Sequence, residues 1–261
     1  MKLPFFQIDA FAARAFAGNP AAVCPLEDWL DDTTLQRIAA ENNLSETAFF
    51  VAEDDGFRLR WFTPAVEVDL CGHATLATAW VIFHEFDWPL DTIDFTTRSG
   101  ALAVTREDDR LAMDFPARPP VPAEGVAEVA AALGARPQSL LAARDALAVF
   151  ADAAEVEALA PDFARLKALD HFAVIATAPG RAGDADFVSR FFAPKVGVDE
   201  DPVTGSAHST LIPYWSRRLG KKRLFARQVS ARGGELWCEA NGDRVSIAGH
   251  CVPVIEGMFR I

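Results

Sequence analysis

The sequence predicts an α+β protein made of two similar lobes, each organised around one central helix. A glycine-containing turn that runs straight into an apolar helix occurs twice, at Gly72 and at Gly205, about 130 residues apart. Short segments of strand character surround both helices, and a proline-rich stretch lies between the two copies. The long spacing indicates duplicated halves rather than a short-period array.

The first copy is a polar turn at residues 69–73, followed by a helix through Phe83 that is apolar on nearly every face. Such a helix has to be buried all round. Its first N–H groups then reach the protein interior without intrahelical partners, and an anionic ligand is their natural acceptor. The turn at residues 69–73 is therefore a candidate anion-binding element.

The second copy, residues 201–211, leads into a largely apolar helix in the same way. Aligning the two glycines pairs His73 with Ser206 and Ala74 with Ala207. We expect both helices to point their N-termini at one shared cleft, where a small substrate bearing a carboxylate would bind.

Composition narrows the class of protein. A hydrophobic content of 51% with 20 Phe supports a substantial packed core. The net charge of -12 argues against nucleic acid or an anionic membrane as a partner. The four cysteines show no CxxC spacing, which predicts a reduced, cytoplasmic protein. The N-terminus is a poor signal peptide, and the longest apolar run, residues 74–83, is too short to span a bilayer.

In the first half, alternation of apolar and polar residues predicts strands, and capping residues at 31–34 predict a helix through residue 40 that ends at Asn42-Asn43. Residues 54–56 (Asp-Asp-Gly) predict a hairpin turn. The predicted strands are 5–11, 21–24, 45–51, 57–62, 92–96, 100–106 and 110–114.

Residues 116–122 carry four prolines, which cannot lie inside a sheet, and so predict a linker between lobes 1–116 and 117–249. Helices are predicted at 126–133 and 155–169, and Gly220 is expected to end the second central helix. The predicted strands of this half are 146–151, 172–177, 186–192, 227–230, 235–239, 244–248 and 252–260.

Glu46 is the first candidate for chemistry. It begins a strand in an apolar neighbourhood, and a desolvated carboxyl has a raised pKa and can take and return a proton near neutrality. The alternative is an exposed glutamate at a strand end. His73 lies at a helix N-terminus, where the dipole favours a neutral imidazole. The alternative is a buried histidine that caps the helix.

Three further residues lie at the two turns. Ser206 either caps its helix or binds a substrate carboxylate together with backbone N–H groups. Asp201 is either functional or, with Pro202, part of a rigid turn. Cys71 is either a thiolate, since helix N-termini lower thiol pKa values, or an inert core residue. The spacing of His208 does not predict a metal ligand.

The sequence gives no support for a bound cofactor or metal. The five histidines are scattered without HxH or HExxH spacing, which is not the pattern of a zinc site. No GxGxxG or GxxxxGK[ST] motif occurs, so nicotinamide, flavin and ATP have no sequence support. We therefore predict chemistry without a cofactor.

Six short stretches, spread over the whole chain, form a recognisable set. They are residues 16–23, 42–49, 69–76, 186–194, 199–208 and 230–236. Each stretch is weakly specific alone, but the set is highly specific. It resembles the phenazine-biosynthesis PhzF-like family, which shares the diaminopimelate epimerase fold.

The resemblance implies two lobes, each a curved, mostly antiparallel sheet or barrel around a central helix, with the site between them. It implies that the last strand, within residues 250–261, completes the N-terminal lobe. It also implies a cofactor-independent isomerase and a homodimer. The roles that it implies are proton shuttling by Glu46, assistance or orientation by His73 and Asp201, and substrate binding by Asn19, Gly72, Gly205 and Ser206.

Related epimerases use two cysteines, one at each central helix. Here the first position is Cys71 and the second is Thr204, whose hydroxyl is too weak a base for proton abstraction alone. A shuttle with one base, Glu46, is therefore favoured over a racemase with two thiols. The alternatives are an amino-acid racemase or epimerase that pairs Cys71 with another base, and a non-catalytic small-ligand-binding protein on the same fold.

Overall fold

The chain divides into two compact units in the computed structural model, which describes residues 1–53 and 55–261. The first unit comprises Met1–Asp114 and Ala248–Ile261, and the second comprises Phe115–Ile247. The C-terminal segment of the chain therefore belongs to the same unit as the N-terminal strand.

Strands outnumber helices in both units. The strands are β1 (Lys2–Ala10), β2 (Asn19–Leu26), β3 (Glu46–Glu53), β4 (Gly56–Phe62), β5 (Glu67–Val68), β6 (Thr92–Thr97), β7 (Gly100–Glu107), β8 (Arg110–Pro116), β9 (Val121–Pro122), β10 (Ser139–Ala142), β11 (Ala146–Val149), β12 (Val174–Pro179), β13 (Phe187–Ala193), β14 (Val198–Asp201), β15 (Arg223–Gln228), β16 (Gly234–Asn241), β17 (Arg244–Gly249) and β18 (Cys251–Arg260). The helices are α1 (Asp32–Asn42), α2 (Gly72–Glu85), α3 (Val126–Leu133), α4 (Ala153–Glu157), α5 (Phe163–Ala168) and α6 (Gly205–Leu219).

The strands of the first unit form a sheet in the order β18-β1-β2-β3-β4-β6-β7-β8, with β5 beside β4. Among the described residues these pairings are antiparallel except β2–β3 and β4–β6. The parallel pair β2–β3 is joined by α1, as a crossover connection requires. This pairing sets the starts of β2 and β3 side by side, with Ala21 opposite Glu46.

Helix α2 is the central helix of the first unit and packs against β1, β2, β3, β7 and β18. Its residues from His73 to Phe83 are buried, except for the half-buried Trp80. This burial explains why the stretch is apolar on all faces, because a helix surrounded by strands exposes no face to water. His84 and Glu85 are exposed where the helix ends.

The second unit likewise consists of paired strands and a central helix, with additional short helices. Its strands pair in the order β9-β10-β11-β12-β13-β15-β16, and β14 also pairs with β13. Helix α6 packs against β15 and β16. A separate apolar core joins α3, α4 and α5 to β11, β12 and β13, with Phe150 and Phe192 fully buried within it.

The predicted mixed α+β fold with a buried helix in each half is confirmed, and α1, α2, α3 and α6 are found where the sequence placed them. Gly220 ends α6 with a left-handed φ of 65°, as expected. The hairpin β3–β4 is also confirmed, although Asp54 of its predicted turn lies outside the described residues.

Two expectations about the second half are wrong. The predicted helix at 155–169 is two short helices, α4 and α5, because Pro161 cannot continue a helix and Asp162 caps a new one. The prolines at 116–122 do not exclude a strand, because Val121–Pro122 forms the short β9 against β10, an edge position that tolerates proline. The sequence also missed β10 and β14.

No helix among the described residues is long and apolar enough to cross a membrane.

A tight turn at Gly18 fixes the start of β2. Gly18 has φ +66°, and a β-carbon there would collide with the carbonyl oxygen of Ala10. Only glycine combines this backbone conformation with such a close approach. The turn therefore determines where the next residue, the fully buried Asn19, is placed.

We expect Gly18→Ala to lower the free energy of unfolding by on the order of 3 kcal/mol. A non-glycine residue in the left-handed conformation costs about 1–2 kcal/mol by itself, and the clash of the β-carbon adds to this strain. Gly220→Ala is the matched control, since Gly220 has nearly the same φ but no atom within 4 Å of a β-carbon. Urea unfolding of both variants measures the difference, and equal losses would contradict the close approach.

Candidate active site

The first set of predicted residues meets where β2, β3 and α2 begin. Glu46 is the first residue of β3, and its side chain is 17% exposed. His73 is the second residue of α2, and its side chain is 7% exposed. The Nε2 atom of His73 lies 3.2 Å from Oε2 of Glu46. Glu46 is therefore not an exposed strand-end residue, but a mostly buried carboxyl beside an imidazole.

The other ring nitrogen of His73 faces an amide. The Nδ2 atom of Asn19 lies 3.2 Å from Nδ1 of His73. The Oδ1 atom of the same amide accepts a hydrogen bond from the hydroxyl of Ser45 at 3.3 Å. In the structure, Nδ2 is therefore the amide atom turned toward the ring.

This arrangement defines the protonation state of His73. With Nδ2 of Asn19 donating to Nδ1, the proton of a neutral ring is on Nε2, the ring nitrogen 3.2 Å from Oε2 of Glu46. Burial lowers the pKa of His73 to about 3, so the ring is neutral at physiological pH. The Cys71 sulfur also lies close to this nitrogen, 3.5 Å from Nδ1.

Asn19 takes a different place from the one expected of a substrate-binding residue. Its side chain is fully buried, and its amide lies between Ser45 and His73. The sequence missed Ser45, which gives no signal beyond its position next to Glu46. A direct contact between Asn19 and a substrate stays a prediction.

Potential metal-ligand atoms of Glu46, Cys71 and His73 all lie within 4.8 Å of one another, so the three residues form a cluster that could hold a metal ion. A histidine ligand needs a free lone pair, and in the tautomer defined above that pair is on Nδ1, which already accepts from Asn19. Nε2, which faces Glu46, carries the proton. The geometry therefore suits acid–base chemistry better than metal binding.

The second set of predicted residues surrounds the start of α6. The hydroxyl of Thr204 donates to Oδ2 of Asp201 in a short hydrogen bond. Gln228 joins both: its Oε1 accepts from the Thr204 N–H at 2.9 Å, and its Nε2 donates to the Asp201 carbonyl at 2.7 Å. The sequence missed Gln228, since only the tertiary fold brings the end of β15 beside this turn.

Ser206 is the second residue of α6, and its hydroxyl accepts a hydrogen bond from Nη2 of Arg144 at 3.3 Å. The guanidinium of Arg144 is held by the buried Asp145, with Nη2 3.0 Å from its Oδ2, and lies 4.9 Å from the ring centre of Phe172. Arg144 adds a cation beside Ser206 that no sequence pattern indicated.

Both central helices begin without a side-chain cap among the described residues. Their N-cap residues are Cys71 and Thr204, whose side chains make no capping hydrogen bond. The Thr204 hydroxyl instead donates to Asp201 and accepts from Nε2 of Gln228 at 3.3 Å. The N–H groups of Gly72 and Gly205 therefore belong to helix ends with donor capacity for an anion.

The α+β fold of this chain is also found in a solved epimerase. A hydroxyproline epimerase from Agrobacterium vitis, solved with bound trans-4-OH-L-proline, superposes with a TM-score of 0.63 at 8% identity, covering 98% of this chain and 92% of that chain. At so low an identity this likeness shows the fold alone.

Closer comparisons define the family. The model described as PhzC-PhzF, phenazine biosynthesis-like protein, matches residues 8–257. A crystal structure of a phenazine biosynthesis protein of the PhzF family from Enterococcus faecalis has a TM-score of 0.98 and 48% identity, covering 100% of both chains. An uncharacterized isomerase of Pseudomonas aeruginosa is 56% identical, also over 100% of both chains. The chain belongs to the PhzC–PhzF phenazine biosynthesis-like family, as the resemblance predicted, and these relatives support an isomerase or epimerase.

Two buried histidines predict how stability depends on pH. Burial lowers the pKa of His73 to about 3 and that of His208 to about 4, while an unfolded histidine has an ordinary value of 6.5. Below pH 6.5 the unfolded chain binds protons that the native chain does not bind. Each residue therefore lowers the free energy of unfolding by up to about 1.4 kcal/mol per pH unit as pH falls toward its native pKa.

We expect His208→Gln to reduce the slope of the free energy of unfolding against pH between about pH 6 and pH 5, by the contribution of one histidine. Urea unfolding at several pH values, on the parent and the variant, measures the two slopes. Parallel slopes would show that His208 is not buried in its neutral form.

Proposed function

We propose that this protein is a cofactor-independent isomerase that moves a proton within a small, carboxylate-bearing substrate, with Glu46 as the acid/base group. The proposal depends on one observation, the 3.2 Å approach of the Glu46 carboxyl to Nε2 of His73 in a mostly buried setting. Membership of a family that includes relatives named isomerases agrees with it.

The neutral state of His73 is what makes this pair suitable for a base. An imidazolium beside Glu46 would stabilise the carboxylate strongly and weaken it as a base. A neutral Nε2–H orients the carboxylate with a smaller electrostatic effect and remains a donor after the carboxylate has taken up a proton. Glu46 can then abstract and return a proton in the same position.

The reaction balances with one group. The Glu46 carboxylate takes a proton from one carbon, and the electron pair of that C–H bond delocalises into the adjacent π-system. The protonated Glu46 then delivers the proton to another carbon on the same face, and the double bond shifts. No oxidant, reductant or leaving group is needed, so the product is an isomer of the substrate.

The start of α6 is proposed as an anion-binding element suited to a carboxylate. The N–H groups at Gly205 and Ser206, the Ser206 hydroxyl and the cation of Arg144 form a positive end at α6. Asp201 is proposed as an orienting residue, since it binds the Thr204 hydroxyl at the N-cap of the same helix. Gly72 would offer the corresponding N–H group at α2.

The protein is also proposed to act in the cytoplasm, as a homodimer and without nucleic acid or membrane partners. The four cysteines are free thiols in the structure, which suits a reducing compartment. The net charge of -12 opposes binding to polyanions.

A racemase or epimerase that uses Cys71 is the second candidate, because the thiol sulfur lies 3.5 Å from His73 Nδ1. The corresponding position on α6 is Thr204, whose hydroxyl is bound to Asp201 and offers no second thiol base. This asymmetry favours the shuttle through Glu46.

We expect Glu46→Gln to lower isomerisation by about 10²–10⁴-fold, since an amide can neither take nor return the proton. The measurement is proton NMR in D₂O with cyclic or β,γ-unsaturated hydroxy and amino acids as candidate substrates. Glu53→Gln, at the exposed end of the same strand, is the matched control and should retain activity.

Equal rates for the parent and Glu46→Gln would refute the assignment. Ligand-induced thermal stabilisation without deuterium incorporation in the parent would instead identify a non-catalytic binding protein.

Cys71→Ala separates the two catalytic candidates. The Glu46 shuttle predicts turnover within about tenfold of the parent, because the thiol does not transfer the proton. A racemase that depends on Cys71 predicts complete loss of turnover, which the same NMR assay would detect.

A further inference from the structure

We propose that Asn19 is a positioning residue that selects the Nε2–H tautomer of His73 and so places the protonated ring nitrogen beside Glu46. The effect on rate rests on the proposed function of Glu46. The effect on the tautomer does not, because it concerns groups that meet without a substrate.

The first step of the inference is the direction of the Asn19 amide. Its Oδ1 accepts from Ser45 at 3.3 Å, and its Nδ2 faces Nδ1 of His73, 3.2 Å away. If Nδ1 carried a proton, its N–H would face the N–H of the Asn19 amide, and two donors would oppose each other. Since Asn19 is fully buried, water cannot relieve that conflict, and the opposing donors would cost the desolvation of a polar group.

The second step is the other ring nitrogen. With Nδ1 as acceptor, the proton is on Nε2, 3.2 Å from Glu46 Oε2. In the opposite tautomer the lone pair of Nε2 would face the carboxylate oxygen at that distance, and two acceptors would repel. The tautomer chosen at Nδ1 therefore decides whether a donor or an acceptor lies beside the Glu46 carboxyl.

The third step is the placement of Asn19 itself. It starts β2 directly after the left-handed Gly18, whose position no larger residue can take. Backbone geometry and burial therefore hold Asn19 in place. A residue that determines the position of a proton needs such a fixed position. Cys71 is the other group near Nδ1, so the experiment must separate the thiol from the amide.

The test is ¹⁵N NMR of the full chain with labelled histidine at neutral pH, with the His73 signals assigned from a His73→Gln variant. In the parent, we expect Nε2 of His73 to be protonated and Nδ1 to be unprotonated. In Asn19→Asp the new carboxylate requires a donor, so Nδ1 should gain a proton. Asn42→Asp, which changes another amide near the start of β3, should leave the His73 signals unchanged.

Two more variants keep the outcome decisive. Asn19→Ala removes the donor with little added bulk and should give a mixture of both tautomers, while Cys71→Ala should retain the parent tautomer. A protonated Nδ1 in the parent would overturn the proposal. So would a pure Nε2–H tautomer in Asn19→Ala, which would assign the selection to another group.

The rate gives a separate readout. Asn19→Asp should lower kcat by about tenfold or more and change KM less, because general acid–base transfer depends on the orientation of the base. A changed tautomer with an unchanged kcat would uphold the tautomer selection by Asn19 but contradict its effect on the rate, whereas the role of Glu46 is decided by Glu46→Gln. The two proposals therefore fail by different results.

Discussion

A neutral imidazole held between an amide and a carboxyl is the interaction on which the candidate site depends. His73 is buried at the start of α2, and its two ring nitrogens face Asn19 and Glu46. Burial keeps the ring uncharged, and the amide decides which nitrogen carries the proton. The rest of the first unit serves to keep these three side chains in place, since β2, β3 and α2 each contribute one of them at its first or second residue.

The two units share a plan but differ in chemistry. Each has a central helix whose N-cap makes no side-chain capping bond among the described residues. At α2 the N-cap is a cysteine next to the histidine, whereas at α6 it is a threonine whose hydroxyl is tied to Asp201. The start of α6 carries Ser206, whose hydroxyl accepts from Arg144.

Family membership and local geometry support different parts of the conclusion. The comparisons place the chain in the PhzC–PhzF family and support an isomerase or epimerase. The assignment of Glu46, His73 and Asn19 comes instead from distances and burial within the first unit. Ser45, Asn19, His73 and Glu46 form a continuous series of polar contacts in the first unit.

The sequence by itself determined the two apolar helices, most strands and the identity of Glu46, His73, Asp201 and Ser206 as candidates. These follow from local periodicity, from glycine turns and from short motifs, which are properties of neighbouring residues. Only the tertiary structure decided the partners of these residues. Asn19 and His73 are 54 positions apart, Arg144 and Ser206 are 62 apart, and Gln228 reaches Thr204 from β15. Hydrogen bonds over such separations depend on strand register and helix packing, and those are set by burial of the whole core rather than by any local pattern.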